Sequence, residues 1–280
     1  MRTFCRRYPT GHASWQRYLI WSHCETRTRC DAIRLPGSER LLQNLRYADA
    51  LIAVSRETAT DLETMLGIAP GRIRVIYPGT NLEKFGQRIR QTQPFNGLPP
   101  GKKILLSVGS AQPRKNLASV AEIFRPVAHR FRQGDWIFVR VGGLLPYNVE
   151  KAVSEVIGSN NLLQLGPVAH DDVVSIFQNS SLFLFPSVLE GFSFTMMEAM
   201  AAGLPVVANR MSTNPEVGQD AVAYYENGDH AGAAGAIERV LDDQSYANRL
   251  REAGFARIRA LTWANHWEGI KRVYCELLTL

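Results

Sequence analysis

From residue 48 onward, short continuous apolar runs alternate with stretches of helical periodicity. Residues 50–54 and 73–77 read as strands. Residues 56–66 between them read as a helix that Ser55 can cap and Gly67 can close. The stretch 86–101 is polar and rich in proline and glycine, which predicts a linker. Beyond it the alternation resumes, with strands over 103–108, 136–141, 162–165, 182–185 and 205–208 and a last short one over 221–225. The intervening helices fall at 116–131, 148–157, 171–178 and 194–202. Residues 230–280 are mostly helical, with breaks near Asp243 and Thr262. Apolar strands separated by helices predict a parallel sheet buried on both faces, an α/β doubly wound, Rossmann-like domain. In such sheets ligands bind beyond the carboxyl ends of the strands, so the residues that follow each strand are the ones to read for chemistry.

After the strand 103–108 come Gly109, Ser110, Ala111, Gln112, Pro113, Arg114, Lys115 and Asn116. A glycine permits a tight turn, and two adjacent cations stand where a helix is expected to begin. That combination suits a phosphate or diphosphate, although on spacing alone an exposed Arg-Lys pair in a surface loop is the stronger reading. Gly142-Gly143 after the next strand is either a second ligand loop or a plain turn. Beyond the strand 162–165, His170 or Asp171 is placed to cap the following helix, the catalytic reading of His170 being the weaker one. The stretch after the strand 182–185 is the richest. Glu190 falls in a loop, Glu198 about a turn into the next helix, and the helix N-terminus between them offers N–H groups around Ser193 to Thr195. An anion held there would have a carboxylate on each side, and carboxylates accept hydrogen bonds from sugar hydroxyls. Two glutamates eight residues apart are common; the strand-loop-helix context with its closing Gly203-Leu204-Pro205 makes the pattern specific.

Composition narrows the classes. The chain has 280 residues, 45% hydrophobic and 21% charged, as in ordinary globular proteins. It has no apolar run of about 18 residues that could cross a membrane. The net charge of +6 is lopsided: residues 1–47 carry nine arginines against Glu25, Asp31 and Glu39, so the excess sits there and the remainder is neutral. Nucleic acid is therefore not an expected partner of the globular part. The Arg-rich start faintly resembles an organelle-targeting segment but lacks the apolar run of a secretory signal, so a cytoplasmic location is expected. Cys5, Cys24, Cys30 and Cys275 form no C-x-x-C pair and no zinc-like spacing, and read as free thiols.

Taken together, these motifs resemble those of family 4 (group 1) retaining glycosyltransferases of the GT-B fold. The resemblance is carried by Glu190-Gly191-Phe192 through Glu198-Ala199-Met200-Ala201-Ala202-Gly203-Leu204-Pro205-Val206-Val207, and by Val108-Gly109 with Pro113-Arg114-Lys115-Asn116. Upstream, residues 48–55 and 75–81 are similar to the closing strands of the family's N-terminal domain. The resemblance implies a partial N-terminal, acceptor-side domain over 1–86 and a nucleotide-sugar-binding domain over 87–262. It also implies a last helix over 263–280 that crosses back to the first domain, presenting Trp267, Val273, Tyr274 and Leu278. It implies that Glu190 contacts the transferred sugar, that Glu198 accepts the ribose hydroxyls, and that Lys115 and Arg114 neutralise the diphosphate. Gly109, Ser110, Gly191 and the amides of Phe192, Ser193, Phe194 and Thr195 complete the donor site, and Val168 lies by the nucleobase. No cofactor or metal is implied, because cations and helix amides can neutralise the leaving group. His23, after a short strand at 17–21, is the candidate for the histidine that lines the donor sugar. Two positions depart from the family: Ser110 stands where many relatives have arginine, and Ser193 where they have glycine. The family's acceptor-side glycine loop and first strands have no counterpart.

The expected activity is transfer of a sugar from a UDP- or GDP-sugar to a glycan or lipid-linked acceptor with retention, as in polysaccharide biosynthesis. A donor-binding remnant without turnover and a sugar-nucleotide epimerase of the same architecture are the alternatives. A basic membrane-surface or nucleic-acid module has only the N-terminal arginines in its favour. Peripheral membrane contact through those arginines, and homo-oligomer formation through the exposed apolar side of the last helix, are further expectations.

Overall fold

A computed structural model describes residues 18–21, 44–81, 85 and 95–279. Two parallel sheets organise them. The smaller has the order β1-β2-β3, formed by Tyr18–Trp21, Ala50–Ala53 and Ile73–Val75. Helix α1, Arg56–Leu66, joins β2 to β3. The Ser55 hydroxyl accepts from the Thr58 amide at its start, and Gly67 ends it in the left-handed conformation, φ 64°.

The larger sheet is six-stranded and wholly parallel. Its strands are β4 (Lys103–Gly109), β5 (Trp136–Gly142), β6 (Leu162–Gly166), β7 (Leu182–Phe185), β8 (Val206–Asn209) and β9 (Val222–Tyr225). Successive residues of each strand point to opposite faces. Leu106, Val139, Phe183 and Val206 enter one core with Met196, Met197 and Ile258; Leu105, Phe138, Leu184 and Val207 enter the other with Phe124, Phe131 and Ile237. Burial on both faces explains why these strands read as unbroken apolar runs.

The spatial order β6-β5-β4-β7-β8-β9 puts a reversal between β4 and β7. The chain builds outward from β4 to β6, then returns to lay β7 on β4's other side. That switch point opens a crevice beyond the carboxyl ends of those two strands.

The helices of this part are α2 (Val120–Phe124), α3 (Ala128–Arg132), α4 (Tyr147–Ile157), α5 (His170–Gln178), α6 (Phe194–Ala201), α7 (Asn214–Gly218), α8 (His230–Asp242) and α9 (Gln244–Ala260), followed by α10 (Trp263–Leu278). Three expectations are corrected. The helix expected over 116–131 is broken into a 3-10 turn at Leu117–Ser119 and the short α2 and α3. Pro126 has no N–H to donate, and its ring excludes a continuous helix there. The start of α5 has Ala169 as its N-cap, with no side-chain cap, so neither His170 nor Asp171 caps it. Helix α7 lies where no helix was expected. The breaks near Asp243 and Thr262 are capping sites: their side chains accept from the amides of Tyr246 and Asn265.

The two sheets meet through α10. Ile270 and Val273 pack on Ala50 and Ile52 of β2 and on Ile76 just beyond β3, and His266 Nδ1 lies 3.0 Å from the Tyr77 carbonyl oxygen. The apolar face expected of this helix is thus divided: Val273 is buried, whereas Trp267, Tyr274 and Leu278 stay exposed. A second tie runs from α7 to α1. The Glu216 carboxylate accepts from the Arg56 amide at 2.7 Å and the Glu57 amide at 3.5 Å, and it also takes the Tyr77 hydroxyl. Of the stretch expected as a linker, 86–94 lies outside the described residues. Its end is docked: Phe95 packs on the larger domain's core and its amide donates to Ser175 Oγ at 3.2 Å. Among the described residues, Cys275 is an exposed free thiol, and no helix is long and apolar enough to cross a membrane.

Candidate active site

The switch-point crevice gathers residues from two loops that are about 75 positions apart in sequence. The loop after β4 ends in a 3-10 turn, Pro113–Lys115, closed by Asn116 in the left-handed conformation. This turn aims Arg114 and Lys115 across the crevice at the loop after β7. Arg114 Nη1 donates to Glu190 Oε2 and Lys115 Nζ to Glu190 Oε1, both at 2.6 Å. Both members of the Lys115–Glu190 pair are nearly out of water, at 9% and 7% exposure. Burial pulls the Lys115 ammonium below its ordinary pKa, while the adjacent Glu190 carboxylate opposes that shift. Lys115 Nζ also sits 5.2 Å from the centre of the Phe185 ring. The backbones of the two loops are tied as well, the Val188 amide donating to the Arg114 carbonyl at 2.9 Å.

Behind Glu190 the segment 212–214 acts as a brace. Ser212 Oγ accepts from the Glu190 amide at 3.2 Å and donates to the Glu190 carbonyl at 3.1 Å. Ser193, the buried N-cap of α6, bonds Thr213 Oγ1 at 3.0 Å and donates to Asn214 Oδ1 at 2.7 Å. Asn214 in turn donates to the carbonyls of Asn209 and Ser187. Phe192 is buried and stacks on Tyr77 from the smaller sheet, with ring centres 5.9 Å apart. Glu198 lies on α6, partly buried, and burial alone raises its pKa from 4.5 to about 7.

The structure therefore brings together Gly109, Arg114, Lys115, Glu190, Gly191, Phe192 and Ser193. Ser110 is exposed at the loop tip, its hydroxyl donating to Gln112 Oε1 at 3.3 Å. Gln112 Oε1 also accepts from Arg114 Nε at 3.0 Å. Phe194 is exposed and Thr195 half-buried. The expected row of donors from Ser193 to Thr195 needs one correction: the Phe194 amide is taken by the Phe192 carbonyl at 2.8 Å. Val168 follows β6 and is half-buried against the core. His23 lies outside the described residues.

Sequence reasoning passed over Arg140. It lies within the apolar run of β5, is 1% exposed, and spans the carboxyl ends of β4 and β5. A single charge inside an otherwise apolar strand was the available signal. The two strand ends also require glycine, because a Cβ on Gly142 would lie 2.5 Å from the Gly109 carbonyl oxygen.

An α/β architecture with a Rossmann-like parallel sheet, a smaller parallel sheet before it and a site at the β4/β7 switch point defines a GT-B type protein. The model of the family described as "Glycosyl transferases group 1" matches residues 89–257, and that of "Glycosyltransferase Family 4" matches residues 10–84. The chain belongs to the group 1 glycosyl transferases. It is 29% identical over 246 residues to a D-inositol 3-phosphate glycosyltransferase of Acidothermus cellulolyticus, covering 82% of this chain and 54% of that protein. It is 24% identical over 233 residues to the serotype-specific mannosyltransferase WbdA of Escherichia coli, covering 80% of this chain and 28% of that protein. Among solved structures, the sucrose-phosphate synthase of Thermosynechococcus elongatus superposes with a TM-score of 0.72 at 24% identity, covering 90% of this chain and 64% of that one. A glycosyltransferase of Rickettsia africae superposes with the same score at 17% identity, covering 87% and 67%. The chain spans little more than half the length of the inositol-phosphate glycosyltransferase, and less of the mannosyltransferase.

Proposed function

We propose that this chain transfers a sugar from a UDP- or GDP-sugar to a glycan or lipid-linked acceptor, with retention of configuration. The observation that carries the reading is the grip of Arg114 and Lys115 on the Glu190 carboxylate at the switch point. Two cations that hold a carboxylate there can hold a diphosphate in its place. In this reading the donor's diphosphate takes over Lys115 and Arg114, and Glu190, released from them, turns to the hydroxyls of the transferred sugar. The bond from the anomeric carbon to the diphosphate oxygen breaks with both electrons going to the diphosphate. The carbon bonds to the acceptor hydroxyl oxygen, and the hydroxyl's proton passes to the leaving group. The cations stabilise the charge that develops on the leaving diphosphate, and Glu190 the cationic character of the sugar ring.

Glu198 receives the ribose hydroxyls, Val168 lies beside the nucleobase, and the Gly109–Ser110 and Gly191–Thr195 backbones line the diphosphate. His23 is proposed to line the donor sugar. The functional division is residues 1–86 for the acceptor side and 87–262 for the donor side, with 263–280 crossing back.

Titration calorimetry with UDP-, GDP- and ADP-sugars tests this. Binding of one of them, with transfer or donor hydrolysis that vanishes in Glu190→Ala, is the expected result. Binding of none overturns the proposal. An isomerised donor detected by NMR when no acceptor is present would point to the epimerase instead.

A further inference from the structure

Arg140 is an unusual residue for the middle of a core. Its charge is out of water, and every hydrogen bond it makes goes to a neutral oxygen. Nη1 donates to Ser107 Oγ at 3.0 Å and Nε to the Gly143 carbonyl at 3.1 Å. Nη2 donates to the Gly109 carbonyl at 2.6 Å and the Ser110 carbonyl at 2.7 Å. Among the described residues no carboxylate pairs with it. A buried cation without a counter-charge is costly, even when its hydrogen bonds are satisfied. Burial shows in its pKa, which falls to about 10.

The geometry of those acceptors has a consequence. A trans peptide is planar, so a carbonyl turned one way turns the next residue's N–H the other way. Arg140 draws the carbonyls of Gly109 and Ser110 down into the core. The amides of Ser110 and Ala111 are thereby turned away from it, the Ala111 nitrogen lying so close to Gly143 that a Cβ there would come within 2.6 Å of it. Ser110 is exposed at the tip of the loop that carries Arg114 and Lys115. Successive amides facing outward from a loop form an anion-binding concavity. Gly143 is pinned from below by the same guanidinium, and its amide donates to the Gly109 carbonyl at 2.8 Å, so both strand-end loops are fixed to one cation. Arg140 is near enough to Lys115 to disfavour that ammonium's charge. A third positive charge therefore stands beneath the crevice where Lys115 and Arg114 converge on Glu190.

We propose that Arg140 is a positioning residue for a diphosphate-bearing ligand. It shapes the Gly109–Ala111 loop into an amide cradle, and its charge is balanced when the diphosphate arrives. The counter-charge it lacks among the described residues is supplied by the ligand. This rests on the proposed nucleotide-sugar site and extends it to a residue that does not touch the donor.

The test compares the whole 280-residue wild-type chain with Arg140→Gln and Arg140→Lys. Calorimetry measures the affinity for UDP, GDP and ADP, and for the monophosphate of whichever is bound most tightly. The ratio of diphosphate to monophosphate affinity is the readout, because a merely loosened fold weakens both ligands alike. The ratio is expected to fall at least tenfold in Arg140→Gln. In Arg140→Lys, which keeps the charge and loses the fork, part of that loss is expected to be recovered. If Arg140→Gln does not fold, Arg140→Lys carries the comparison, with a drop of at least threefold expected. A wild type that binds one diphosphate, with a ratio unchanged in the variant tested, overturns this inference alone. A wild type that binds none of the three overturns it together with the proposed site.

Discussion

Glu198 makes an exacting demand on the protein without ligand. Burial holds its carboxyl neutral up to about pH 7, against an ordinary 4.5. A group whose folded pKa is raised contributes stability that is fully present below its unfolded pKa and is lost as pH rises through the folded value. At about 1.4 kcal/mol for each tenfold in proton affinity, the difference amounts to roughly 3 kcal/mol across the window from pH 4.5 to 7. Glu198→Gln replaces the carboxyl by a neutral group of similar shape and so removes that dependence. Urea denaturation of both proteins at pH 5 is expected to show the variant ahead by only about 1 kcal/mol, because the unfolded carboxyl has just begun to ionise. At pH 8 the variant is expected to be the more stable by about 3 kcal/mol, or at least 2 after allowing for residual contact with water. The same carboxylate is proposed to receive ribose hydroxyls, which favour its ionised form. Wild-type affinity for the nucleoside diphosphate should accordingly rise with pH through 7, and the variant's should not. Stability curves for the two proteins that run parallel from pH 5 to 8 would refute the argument, because the titration would then belong to another group.

Four other outcomes follow from the geometry. Glu190→Gln leaves Lys115 and Arg114 facing a neutral amide; it should destabilise the fold by about 2–4 kcal/mol in chemical denaturation and lower transfer by about 10²–10³-fold in a product assay. Lys115→Met keeps the Arg114–Glu190 pair, so its stability should change less than that of Glu190→Gln, while calorimetry shows nucleoside diphosphate binding sharply weakened. Gly142→Ala places a methyl 2.5 Å from the Gly109 oxygen at a residue with φ 98°, and a loss of about 2–4 kcal/mol is expected in thermal denaturation. Glu216→Ala strips the start of α1 of its carboxylate and should cost about 1 kcal/mol, a fall of about 2–4 °C in Tm by calorimetric scan.

Much of the fold is legible locally. Helix α1 shows its own ends in Ser55 and Gly67, and the strands of the larger sheet announce burial on both faces by their unbroken apolar runs. The misread helix at 116–131 had its reason in plain view, since Pro126 forbids what the surrounding periodicity suggests. Helix α7 has five residues, too few for any period to show, although Pro215 at its start was a cue. The start of α5 shows the limit of capping rules: a good capping residue was available at Asp171, and the backbone began the helix earlier, with Ala169 as its N-cap. The candidate site was legible as two separate motifs. Their convergence depended on β4 and β7 being neighbours, a long-range pairing that local pattern does not encode. Arg140 is the clearest omission, because its importance lies in which backbone oxygens its fork reaches, and only the folded loop reveals that.

Residues 212–216 hold three things at once. Ser212 grips the backbone of Glu190, Thr213 and Asn214 grip Ser193, and Glu216 grips the start of α1 and the hydroxyl of Tyr77. A five-residue ribbon thus serves as a common anchor for the cleft wall and for the neighbouring sheet. Any swing of α1 relative to the larger domain must either tear free of Glu216 or drag this ribbon, and with it the frame of the Glu190 loop. How far apart the two sheets stand and how the Glu190 loop is set are accordingly a single mechanical variable, which a spectroscopic label near Tyr77 could follow without touching the crevice.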